Sequence, residues 1–173
     1  MVSRLLPASF SENITSKLGP TMFSRFLESM DAEVPVSIRI NHQKMSKPVD
    51  LEQVAWCKSG FYLAERPIFT LDPAFHSGAY YVQEASSMFI GYILEKIGIS
   101  NNGLKILDLS AAPGGKSTLI ASILQGKGLL VANEIIKNRA YTLKYNLCKE
   151  GYSNVIVTNN DPKDFSQLTS FFD

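Results

Sequence analysis

With 173 residues, 45% of them hydrophobic and 19% charged, the chain has enough apolar material for one compact domain, or for a small domain leading into part of a larger one. Seventeen Lys and Arg stand against 16 Asp and Glu; residues 1–103 hold 9 and 10 of these and residues 104–173 hold 8 and 6, so charge alone lends no support to a nucleic-acid partner. Two cysteines, Cys57 and Cys148, exclude a disulfide scaffold and read as reduced thiols. No run approaches the ~18 apolar residues of a membrane span, Met1 to Phe10 lacks the apolar stretch of a signal peptide, and a soluble, cytoplasmic protein is expected.

Phe10, Ile14, Leu18, Met22, Phe23, Phe26, Leu27 and Met30 recur at helical spacing, and Gly19-Pro20 interrupts them. The pattern predicts two short helices, the second starting near Pro20. Val36 to Ile40 alternates apolar and polar, as a half-buried strand does, and a second strand is expected near Phe61–Leu63. Pro35, Pro48, Pro67 and Pro73 mark the connections. Tyr80 and Tyr81 are expected to pack against the helix that follows. In that helix Ala85, Met88, Phe89, Ile93, Leu94 and Ile97 line one face before Gly98 ends it, and Asn101-Asn102-Gly103 makes a turn.

A regular alternation follows. It comprises a buried strand Leu104–Leu109, a Gly-rich turn, a helix Gly115–Leu124, a strand Leu129–Asn133, a helix Lys137–Glu150, a strand Val155–Thr158 and a short last helix. This βαβαβ order predicts an α/β fold: the first half of a Rossmann-like parallel sheet, over about 77–173, preceded by a small α+β domain over 1–76. Three strands are half of such a sheet, so a truncated product is suspected, with its first strand an open apolar edge able to self-associate.

The informative run is Leu107 to Thr118, reading Leu-Asp-Leu-Ser-Ala-Ala-Pro-Gly-Gly-Lys-Ser-Thr, between a buried strand and a helix. Small residues let a ligand approach the backbone, and the helix start offers unpaired N–H groups. A phosphate loop, G-x-x-x-x-G-K-[ST], fits at Gly115-Lys116-Ser117 but fails at Ser110, where its first glycine belongs, and at Pro113, which removes an amide donor. An S-adenosylmethionine loop fits better. Glu134, just after the next strand, is placed to accept the ribose hydroxyls, and Asp161, past the third strand, to accept from the adenine amino group. Taken singly, each has a plainer reading: a strand–helix connection, a helix-start carboxylate and a turn or N-cap residue.

These residues resemble the D-x-C-A-A-P-G-G-K-T/S motif of the Nol/Nop/Sun (RsmF-like) family of S-adenosylmethionine-dependent RNA 5-methylcytosine methyltransferases. The resemblance continues through Asn133-Glu134, Arg139, Leu143, Asn146, Gly151, Asn154-Val155 and Asp161. Upstream, Ser37 to Asn41 resembles the family's S-I-R-V-N strand, and Gln83 to Ser87 its Q-D/E-x-S-S lead into a helix. The resemblance implies that Ser110, Ala111, Ala112, Pro113, Gly114, Gly115 and Lys116 wrap the methionine part of the cofactor, Glu134 the ribose and Asp161 the adenine. The implied substrate is RNA, most naturally ribosomal RNA. Ser110 stands where the family commonly has cysteine.

In that family a cysteine thiolate attacks carbon 6 of cytosine and a second cysteine assists release, in motifs beyond the third strand. Neither Cys57 nor Cys148 matches those positions, and Cys148 is expected to be a small core residue. The chain by itself is therefore expected to bind cofactor at most. Three alternatives stay open: a non-catalytic RNA- or partner-binding module, a P-loop NTPase, and a ribose 2′-O-methyltransferase of the FtsJ kind. The last would want an aromatic residue in place of Lys116 and a catalytic lysine before the loop, where Lys96 and Lys105 are poorly placed.

Arg39, Lys44, Lys47, Lys58 and Arg66 interleave with Trp56, Phe61 and Tyr62. The aromatics read as core and the charges as solvated, with an RNA-facing surface as the alternative. Gln83 is expected either to orient the loop or to serve as a cap or surface residue. His42 and His76 have no partners at ligand spacing, so no metal is assigned.

Overall fold

The computed structural model describes residues 6–99 and 103–173. Met1 to Leu5, and Asn101-Asn102 of the expected turn, lie outside them. The chain divides into two compact units, Met1–Pro35 and Val36–Asp173. The expected boundary at 76/77 falls inside the second.

The first unit is a helical hairpin, α1 (Ala8–Leu18) and α2 (Pro20–Asp31). Gly19, at φ +76, makes the corner, and Pro20 opens α2, where a missing N–H leaves no helical bond unmade. Phe10 and Phe23 both meet the ring of Phe26, with centroids 6.3 Å apart.

The second unit holds two three-stranded sheets. In the first, β1 (Val36–Ile40) lies between β2 (Gly60–Leu63) and β3 (Tyr80–Val82), antiparallel to both. Ile38 and Ile40 point to one side, where they meet Phe61 and Tyr80. The other side was expected to be solvated. Instead Ser37, Arg39 and Asn41 are all buried there, so β1 is covered on both faces. A short α3 (Pro73–Ser77), N-capped by Asp72, leads into β3. Tyr80 and Tyr81 belong to that strand. Tyr80 packs among Phe69 and Phe75 and donates to Asp72 at 2.6 Å, so its ring lies in the core of the antiparallel sheet rather than in the expected place against the following helix.

The second sheet is parallel, in the order β4 (Lys105–Asp108), β5 (Leu129–Asn133), β6 (Val155–Thr158). Helices α4 (Ala85–Lys96), α5 (Gly115–Leu124) and α6 (Lys137–Glu150) accompany it, and Gly98, at φ +82, follows the end of α4 as the sequence suggests. Alternating branched strands and amphipathic helices make this three-stranded sheet, and its core has two parts. Ile120, Ala121, Leu124 and Leu130 form one cluster, and Ala111, Ala112, Ala132, Leu143 and Leu147 a second, with Val155 packed against both. The expected last helix is a 3-10 helix, Pro162–Gln167.

Candidate cofactor site

Parallel strands bring their carboxyl ends to one rim, where three successive connections meet. The first is the turn between β4 and α5. Ser110, Pro113 and Lys116 are exposed there, while Ala111, Ala112 and Gly114 are buried. Gly114 adopts φ +113, a conformation suited to glycine, and a Cβ there would meet Leu143 Cδ1 at 3.2 Å. The Ala112–Pro113 peptide is cis.

Almost every polar group on the inner side of this turn is tied down. The Ala111 amide donates to Asn133 O at 2.8 Å. Arg139 donates to Ala112 O at 2.8 Å, and Asn146 Nδ2 to Pro113 O at 2.8 Å. The Tyr81 hydroxyl also donates to Pro113 O, at 3.3 Å. Burial pushes the Tyr81 phenol up, against a smaller opposite pull from Arg39, so it stays a donor. The Thr118 amide and hydroxyl both donate to Gly114 O at 2.8 Å. Ser117 Oγ donates to Asp108 Oδ2 at 2.7 Å, fixing the helix to the strand before it.

Because C=O and N–H point oppositely across a trans peptide, holding the carbonyls of Pro113 and Gly114 inward turns the amides of Gly114 and Gly115 the other way. The first amides of α5 also lack carbonyls one helical turn earlier. The turn thus offers N–H donors and a helix's positive end, suited to the carboxylate of an amino-acid tail.

Glu134 stands on the second connection, just after β5, and is only 3% exposed. Its Oε1 accepts from the Ile136 amide at 3.0 Å, and its Oε2 lies 3.5 Å from Arg139 Nη1. Asn159 holds the backbone there, donating to Glu134 O at 2.6 Å and to Ile135 O at 2.9 Å. A carboxylate fixed this way keeps lone pairs for a diol. Asp161, on the third connection, is exposed, and its Oδ1 accepts from the Lys163 amide at 2.9 Å as the N-cap of the 3-10 helix. The fold therefore carries all three sequence-identified segments to one rim, with the Asp161 side chain engaged in a cap.

Residues to which sequence reasoning gave no settled role also build this rim. Asn133, fully buried, satisfies both ends of its amide: Nδ2 donates to Leu109 O and Asn160 O, and Oδ1 accepts from Thr158 Oγ1 and the Asn160 amide. It stitches three strand ends together. Gln83 is buried rather than at the surface, its Oε1 accepting from Arg39 Nε at 2.9 Å and its Nε2 donating to Ser87 Oγ at 3.4 Å. Arg39 itself is neither solvated nor RNA-facing, being 1% exposed beneath the turn.

The expectation for Cys148 is not met. Cys148 is exposed on α6, because the core side of that helix is taken by Ala140, Leu143 and Leu147. Cys57 is the buried one, among Val54, Ala85 and Met88. A separate cavity of about 620 Å³, lined in part by His42, Cys57, Tyr92 and Leu119, contains none of the rim residues.

Comparison with known proteins agrees with this architecture. Residues 6–85 match the family model for the N-terminal domain of 16S rRNA methyltransferase RsmF, and residues 97–173 the model for 16S rRNA methyltransferase RsmB/F. The ribosomal RNA small subunit methyltransferase F of Aeromonas salmonicida is 34% identical over 184 residues, and that of Pectobacterium carotovorum 33% over 186. Each alignment covers 97% of this chain but 38% of the relative, so the chain spans well under half the length of these proteins. A methyltransferase homolog from Pyrococcus horikoshii is similar in structure, with a TM-score of 0.81 and 29% identity, covering 99% of this chain and 59% of that one. NSun6 from the same organism, solved with the S-adenosylmethionine analogue SFG, shares the fold at a TM-score of 0.71 and 17% identity, over 93% of this chain and 67% of its own.

Proposed function

Because the chain belongs to the RsmF-like family of 16S rRNA methyltransferases, we propose that its rim binds S-adenosylmethionine and serves methyl transfer to carbon 5 of cytosine in ribosomal RNA. The observation that carries the reading is the joint placement of a donor-rich turn and a buried carboxylate, Glu134, at adjacent strand ends. In the proposed complex the amides of Gly114 and Gly115 receive the methionyl carboxylate, and Ser110, Ala111, Ala112, Pro113 and Lys116 flank the tail. Glu134 accepts the ribose hydroxyls, with Arg139 steadying one of its oxygens. Asp161 reaches the adenine amino group through the oxygen not used in its cap. The chemistry at the rim is recognition of the sulfonium donor.

Attack on cytosine needs a thiolate at the same rim. Cys57 is enclosed in another part of the core, and Cys148 sits near the far end of α6, whose first residue is the one beside the rim. The 173-residue chain is thus proposed to bind cofactor without methylating cytosine.

Isothermal titration calorimetry tests the reading. S-adenosylmethionine is expected to bind without magnesium, Mg·ATP to give no heat, and Glu134→Ala to weaken binding by about ten- to a hundredfold, the worth of a charge-assisted hydrogen bond. Saturable Mg·ATP binding, or an unchanged affinity in a folded Glu134→Ala, would overturn it.

A further inference from the structure

The buried arginine beneath the turn is not explained by folding alone. Arg39 lies mid-strand in β1 and is 1% exposed, yet Nη1 has no partner among the described residues. Its carboxylate counterpart, Glu150, is also fully buried and has an unpartnered oxygen, Oε1. A guanidinium in this position opposes the positive end of α5, an arrangement that costs stability in the absence of an anion. What the side chain does make is specific. Nε donates to Gln83 Oε1 at 2.9 Å, and Nη2 donates to Thr118 Oγ1 at 2.6 Å. By filling an acceptor site on that hydroxyl, Arg39 leaves the Thr118 proton to the helix carbonyls, with Gly114 O at 2.8 Å the nearer and Gly115 O at 3.2 Å the farther.

We propose that Arg39 is a positioning residue for the cofactor turn. Acting through Thr118, it holds the Gly114 carbonyl inward so that the Gly115 amide faces the ligand, and it adds positive potential behind that amide. The small antiparallel sheet is then more than a neighbouring module, since its central strand sets the geometry of the methyl-donor site. The relay rests on the cofactor reading above for its purpose, but its geometry can be tested apart from it.

The test uses Arg39→Met, Arg39→Lys, Thr118→Val and the double variant Arg39→Met/Thr118→Val in the full 173-residue chain, with Ser37→Ala as control. Ser37 bonds Gln83 O at 2.6 Å on the same buried face but does not touch Thr118. Two readouts are taken: the amide NMR signals of Gly114 and Gly115, and the Kd for S-adenosylmethionine. Arg39→Met and Thr118→Val are each expected to shift those amides and weaken binding about tenfold, with the double variant no worse than either, because both break one relay. Arg39→Lys restores little, since one ammonium cannot fork to Gln83 and Thr118 together. Ser37→Ala lowers Tm and leaves the turn amides and Kd alone. Unmoved turn amides in folded Arg39→Met, or equal movement in Ser37→Ala, would refute the relay. Should Arg39→Met fail to fold, Thr118→Val decides by the same criteria. If the unmodified chain binds no S-adenosylmethionine while the amides still move in Arg39→Met, the cofactor reading fails and the relay stands.

Discussion

Glu150 ends α6 with its side chain fully buried, and Asn41 Nδ2 donates to both its carbonyl and its Oε2, at 2.9 and 3.3 Å. Burial raises this carboxyl above its ordinary value of 4.5, while Arg39, Lys149, Lys44 and the Asn41 bond pull the other way without cancelling it. A carboxyl with a raised folded pKa binds its proton more readily in the native state than in the unfolded one. Stability therefore falls as pH rises from the ordinary value through the folded one, and stays lower above it. Glu150→Gln removes that slope. Urea titrations from pH 4 to pH 7 are expected to show the unmodified chain losing stability relative to Glu150→Gln as pH rises. Parallel profiles would mean that the fold tolerates the ionised carboxylate at no cost. At this scale the sequence was least informative. A buried Arg, Asn and Glu look like surface residues until their partners are known, and the Arg39–Thr118 and Asn41–Glu150 bonds span 79 and 109 positions.

Between elements, a very tight approach is where α3 meets the end of α6. Gly78, the C-cap of α3, sits at φ +72, and a Cβ there would lie 2.2 Å from the Lys149 carbonyl oxygen. Lys44 seals the same junction, donating to Ser77 O and Lys149 O at 2.9 and 2.6 Å. Gly78→Ala combines left-handed backbone strain with a backbone clash, so it is expected to destabilise by about 2 kcal/mol or more. Chemical denaturation measures the loss, and a change within error would mean that α3 can move aside freely. The helices and parallel strands were legible in advance because their periodicities are local: 3.6 for α4 and α6, and short branched runs for β4, β5 and β6. By contrast β3 is three residues long and too short to show a period. The second face of β1 was misjudged for a related reason. Alternation reports which residues are apolar, and a polar face can be buried when most of its groups find partners, as those of Ser37 and Asn41 and all but Nη1 of Arg39 do.

Over the whole parallel sheet, β4 and β6 are both edges, and the edge of β4 is occupied at one end. The Asp173 amide donates to Lys105 O at 3.0 Å, and the Lys105 amide donates to Asp173 Oδ2 at 2.9 Å. Phe171 lies under the Lys105 ammonium, 4.6 Å from ring centre to Nζ. Leu129 N bonds Leu104 O, so even-numbered positions of β4 face β5 and odd-numbered ones face outward. The peptide groups of Leu107 thus point to the edge, where they have no partner among the described residues. Nearby chemistry adds to the hazard: Phe89, Tyr92, Ile93 and Ile97 leave much of α4 apolar and exposed. An unpaired inner strand position recruits another strand unless charge, proline or a covering element blocks it. Sedimentation velocity over a tenfold or wider concentration range is expected to show reversible self-association in the 173-residue chain. Leu107→Pro deletes the outward N–H without touching the bonds to β5, and should shift the distribution towards monomer while circular dichroism stays native. If the distribution does not change in that variant, association runs through the α4 face instead, and Phe89→Lys should then abolish it.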